Sequence, residues 1–142
     1  MRIITIAALL ATLFVAPVQA QIVVDLGADP AREIAAQAAG TPRGQELPVT
    51  DARVKQAREW LKQAAAATGE TEEFVAASAV KLSRYIYDVT KVRVTPMETL
   101  EAIARAPAGR PLGDTTSAYF QARRGAPNKT HAEAMAAMAG KK

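Results

Sequence analysis

The amino-acid sequence predicts an all-α protein, a small helical bundle of about five or six short helices with a central antiparallel helix hairpin. Three observations lead there. Apolar residues recur at three- and four-residue spacings through the middle of the chain, the stripe of helices with one face in a core. Helix-start signals are repeated: Asp29-Pro30, Thr71-Glu72-Glu73, Thr95-Pro96-Met97-Glu98 and Thr130 with Glu133. Gly40, Gly69 and Gly125 fall where helices should stop.

Residues 21–49 read as an N-terminal hook, a short helix and a loop. "QIVVD" is an apolar hook or edge strand. Asp29 is an N-cap, Pro30 suits the first helical position, and "AREIAAQAA" runs to Gly40. "GTPRGQELP" is loop by its prolines and glycines.

Residues 50–106 form the expected helical core. Val54, Ala57, Leu61, Ala64 and Ala65 make one stripe. Beyond Gly69, Val75, Ala79, Leu82, Ile86 and Val89 make the next, widened by Phe74 and Tyr85. So short a connection folds the two helices into a hairpin. "VTKVRV" then reads as an extended connector, and Thr95 with Glu98 is a complete capping box that starts a helix through Leu100 and Ile103. Residues 107–142 read as a basic, linker-like and loosely packed tail. "SAYFQARR" and "THAEAMAAMAG" are its short helices, with Met135 and Met138 the large apolar residues of the second.

Composition limits what holds this together. Alanine dominates the apolar content, and alanine buries little area, so the core must be thin and the helices close. There is no cysteine to staple it. The first twenty residues have the pattern of a cleavable signal peptide. Met1-Arg2 is a positive start, an apolar run follows at 3–16, Pro17 breaks it, and small Ala20 precedes the expected cleavage. A periplasmic or secreted location follows from that reading. The formal net charge is +4, and its excess gathers in the tail, where Arg110, Arg123, Arg124, Lys129, Lys141 and Lys142 oppose Asp114 and Glu133.

Catalytic and metal chemistry find little to work with. A single histidine, His131, and no cysteine leave no ligand cluster, so no metal or cofactor is expected, and His131 reads as an exposed bystander. Ser78, Ser83 and Ser117 fall within helices, and neither a nucleophile elbow nor a phosphate-binding glycine loop is present. Paired acids at Glu72/Glu73 and Glu98/Glu101 keep a small glycan-cleaving enzyme as the least favoured alternative. Glu72, Glu73 and Glu98, however, occupy first-turn positions that favour acids for structural reasons. No catalytic residue is assigned.

Tyrosines among arginines and lysines between Lys81 and Glu101 suggest a nucleic-acid clamp, but the helical register puts Tyr85 on the apolar stripe and Asp88 beside Tyr87. A specific nucleic-acid partner is therefore disfavoured. The outward residues Tyr87, Lys91 and Arg93, with Arg110, Arg123, Arg124 and Lys129 of the tail, form the candidate interaction surface.

Cleavage before "QIVVD", followed by the "AREIAAQA" helix, resembles the mature start of minor-pilin subunits of type IV secretion (conjugation) systems. The similarity covers fewer than twenty residues. The chain is short for that family and has prolines where the family has long helices. The resemblance implies an exported, helical, non-enzymatic component of envelope machinery. The expected function is thus protein–protein interaction in the bacterial envelope, as an accessory of such an apparatus. The alternative is a binder of anionic polymers or membrane surfaces through the basic tail.

Overall fold

A computed structural model describes residues 24–42, 44–124 and 130–140. The expected hook at 21–23, the expected signal peptide at 1–20, Lys129 and the terminal lysines lie outside the described residues. The described residues hold six helices and no strand: α1 (Pro30–Ala38), α2 (Ala52–Thr68), α3 (Glu72–Thr90), α4 (Pro96–Ala104), α5 (Leu112–Arg124) and α6 (His131–Ala139).

The helix ends follow local chemistry. Asp29, Asp51, Thr71, Thr95 and Thr130 each accept a backbone N–H at their helix start, and both expected capping boxes close. Gly69 ends α2 in the left-handed conformation at φ 74° and lets α3 return antiparallel. Lys91 ends α3 in the same conformation at φ 60°, the one described non-glycine residue with positive φ. There it starts the connector. Val92 and Val94 turn inward, while Lys91 and Arg93 are exposed. The connector is shorter than expected, because α3 continues through Val89, which is 52% exposed and off the buried stripe.

Two caps respond to acid. Two Arg53 hydrogen bonds, Nε to Oδ1 at 3.0 Å and Nη2 to Oδ2 at 2.8 Å, and its backbone N–H hold the Asp51 carboxyl down at about 2. For Asp29, burial pushes the pKa up, but the Arg58 and Arg32 hydrogen bonds and charges outweigh it and leave it lowered. A depressed carboxyl contributes stability above its unfolded pKa, and that contribution is lost as pH falls through the folded value. Urea midpoints should therefore hold above pH 4 and fall between about pH 4 and pH 2. Asp51→Ala should show a smaller fall over that window.

The core forms around α4, which packs on α1, α2, α3 and α5. Leu100 and Ile103 are fully buried among Ile34, Leu61, Val75 and Val80, with Leu26 and Leu112 closing the edges. Ala57, Ala64, Ala76 and Ala79 line the same core, so small side chains bring the helix backbones close. The buried Thr99 hydroxyl donates to the carbonyl oxygens of Ala79 at 2.8 Å and Pro96 at 3.0 Å, tying α4 to α3. A second cluster gathers Leu82, Ile86, Ala102, Tyr119 and Ala134.

The last two helices depart from the expected loose tail. α5 begins at Leu112 rather than Ser117, because Leu112 inserts into the core and draws "LGDTT" into the helix. Tyr119 is the largest fully buried side chain of the described protein. Met135 and Met138 are half-buried against the second cluster, so they pack inside the protein rather than waiting for a partner.

Candidate functional site

The outward face of α3 carries most of the exposed large hydrophobic side chains among the described residues. Among the described residues, the large hydrophobic side chains left exposed are Val49 and four from α3: Phe74, Tyr85, Tyr87 and Val89. Phe74 and Tyr85 stand eleven residues apart, three helical turns, and so share one side of the helix about 16 Å from each other. The signal was present in the sequence, since both widen the apolar stripe. Their angle on the helix places them beyond the edge that α4 and α5 cover.

Between α3 and the start of α5 runs a groove of ≈ 940 Å³. Phe74, Leu82 and Tyr85 form its α3 wall, and Leu112, Gly113 and Thr116 form the opposite one. Tyr85 is braced by Phe120, with ring centroids 5.1 Å apart. Beside it lies a smaller hollow of ≈ 460 Å³, where Tyr87, Arg93 and Arg84 meet Gln37 and Thr95. Arg84 and Asp88 line both depressions and form the ridge between them. The Lys91 ammonium sits 5.6 Å from the Tyr87 ring centroid, a cation–π contact.

Tyr87, Lys91 and Arg93 are therefore together on one exposed surface. The basic residues beyond residue 107 are not. Arg110 precedes α5 and exposed Arg124 ends it, about 20 Å away along the helix. Arg123 is not a surface residue: its side chain is 5% exposed, with Nη1 3.9 Å from a Glu98 oxygen. Its position on α5 turns it inward with Tyr119, one turn earlier. Its Nε and Nη1 have no hydrogen-bond partner among the described residues.

A partly buried polar chain joins the last three helices. The Tyr119 hydroxyl lies 2.8 Å from His131 Nδ1, and His131 Nε2 lies 3.0 Å from Glu101 Oε2. A neutral imidazole protonated on Nε2 satisfies both contacts: Tyr119 donates to Nδ1, and Nε2 donates to Glu101. Glu101 also accepts from Arg105 Nε at 2.7 Å. His131 is thus a tie between helices and not the exposed bystander expected from its place beside a cap. Its partners lie 12 and 30 residues away, and no local pattern announces them.

Carboxylate, imidazole and hydroxyl in line have the order of a hydrolytic triad. The hydroxyl cannot serve as a nucleophile here, because Tyr119 is 0% exposed and lines neither groove nor hollow. Burial also pushes its pKa well above the usual phenol value, an effect opposed by Arg123 and reinforced by Glu98 and Glu101. Glu98 is engaged in its own capping box, accepting from the Thr95 backbone at 2.6 Å. Glu72 and Glu73 stand in the first turn of α3, where the helix dipole favours them. Among the described residues, no group of three or more acids and histidines is placed to hold a metal ion.

Comparison with protein-family models, curated proteins and solved structures finds no match to this chain. None of the described helices is long and apolar enough to cross a membrane.

Proposed function

We propose that this is a non-enzymatic helical protein that works by protein–protein interaction, receiving its partner on the outer face of α3. One observation carries the reading. A well-packed helix bundle leaves Phe74 and Tyr85 53% and 54% exposed at either end of an apolar groove. Concentrated exposed apolar surface beside a concavity is characteristic of docking sites. The setting we propose is the bacterial envelope, reached by export with cleavage after Ala20, beside a type IV secretion or conjugation apparatus. That setting rests on the sequence pattern alone. The polyanion-binding alternative retains Arg110 and Arg124 among the described residues beyond 107, the buried Arg123 being lost to it.

The test is in-cell crosslinking from an α3 position, followed by affinity measurement with the purified partner. Phe74→Ala/Tyr85→Ala should weaken binding by about a hundredfold, as loss of two aromatic anchors does. Its thermal midpoint should change little, because both side chains are exposed. Partner binding that survives the double substitution overturns the reading.

A further inference from the structure

We propose that α5 has two rotational registers, the observed one and a minor one turned by one residue. The sequence of α5 carries its inward face twice. Leu112, Thr115, Tyr119 and Arg123 are the buried residues of this helix. The residues that follow each of them are Gly113, Thr116, Phe120 and Arg124. Three of the four positions thus repeat the same kind of side chain one residue on. Successive residues of a helix stand about 100° apart. A turn of α5 by that angle presents threonine, an aromatic ring and arginine to the core again, at the same spacing.

The observed register leaves polar groups of its own face unsatisfied. Thr115 Oγ1 and Arg123 Nε and Nη1 are buried without a hydrogen-bond partner among the described residues, and Arg123 Nη1 stays 3.9 Å from Glu98. Neither side chain is locked in place by a bond that its neighbour would forfeit. Two differences do favour the observed face. Leu112 closes a core edge that Gly113 would leave open, and the Tyr119 hydroxyl reaches His131, which Phe120 cannot. They make the second register the minor state of a bistable element, the kind of element that conformational change uses. The turn would also rebuild one wall of the α3 groove. Thr116 lines that groove and Phe120 braces Tyr85. In the second register Ser117 and Gln121 stand where Thr116 and Phe120 were, and Asp114 where Gly113 was. Tyr85 loses its aromatic brace and faces a polar wall. That consequence for docking rests on the reading above; the two registers do not.

The experiment is NMR relaxation dispersion on the α5 amides of the full chain, followed by two variants. Tyr119→Phe removes the hydroxyl that tells the two faces apart, so it should raise the minor population about fivefold. The minor state should keep helical chemical shifts. Leu112→Gly/Gly113→Leu/Tyr119→Phe moves the leucine one place along and should make the second register the major one. Nuclear Overhauser contacts to the Ala134 methyl should then come from the Phe120 ring instead of residue 119, and the Tyr85 ring signals should shift as Phe120 leaves them. The inference is overturned if neither wild type nor Tyr119→Phe shows a minor state, or if that state has random-coil shifts and is only a local opening. It is equally overturned if the folded triple variant keeps residue 119 against Ala134. Should the triple variant not fold, Tyr119→Phe decides alone. No partner enters these measurements, so their failure leaves the docking reading standing, and a docking test that fails leaves the two registers standing.

Discussion

Tyr119→Ala should destabilise the protein by about 4 kcal/mol, the range for removing a fully buried aromatic side chain. Against a total of about 5–15 kcal/mol for a domain of ordinary stability, that is severe, and the urea midpoint should fall accordingly. The reason lies in what the ring touches. Tyr119 fills the second cluster with Leu82, Ile86, Ala102 and Ala134, which come from α3, α4 and α6. Its removal leaves a cavity where those helices meet. Tyr119→Phe separates the two roles of the residue: the ring stays and only the hydroxyl bonded to His131 is lost, so about 1 kcal/mol should go. A truly loose tail would make both substitutions harmless. Equal midpoints for wild type and Tyr119→Ala would therefore refute the packing described for α5.

Leu100→Ala should remove about 3 kcal/mol, measured as the shift in urea midpoint at constant slope. Leu100 is fully buried on the central helix, in one cluster with Ile34, Leu61 and Ile103. Alanine-lined helices cannot move inward to refill the space, because their backbones are already in close approach. Leu100→Met, which nearly conserves volume, should cost under about 1.5 kcal/mol. The contrast between the two variants separates loss of volume from loss of shape.

The described helical architecture was legible in the sequence wherever cause and effect are close along the chain. Asp29-Pro30, Thr95 with Glu98, Thr130 with Glu133 and Gly69 act within a turn of themselves, and each sits where its chemistry requires. The buried stripe of α2 from Val54 to Ala64 followed from periodicity alone. Leu112 was different. Read locally, Pro111, Gly113 and the neighbouring threonines say loop, and only the core that receives Leu112 makes the segment helical. Arg123 misled for a related reason, since a basic pair at a helix end suggests solvent, and only the position of α4 decides which of the two turns in. For the α3 face, Tyr87, Lys91 and Arg93 could be read from their register. Phe74 and Tyr85 belonged to the apolar stripe in sequence, and their exposure depends on how far α5 reaches across it.

The tie from His131 to Glu101 has a consequence for how the molecule opens. Near neighbours in sequence assemble α2, α3 and α4, whose contacts close short loops and so form early. α6 has its main contacts with α5, and its polar bond reaches back 30 residues to Glu101. Such a piece arrives last and leaves first. Amide hydrogens of α6 should then exchange through a local opening that spares the rest of the bundle, while those of α4 wait for global unfolding. The histidine therefore acts as a clasp on the final segment.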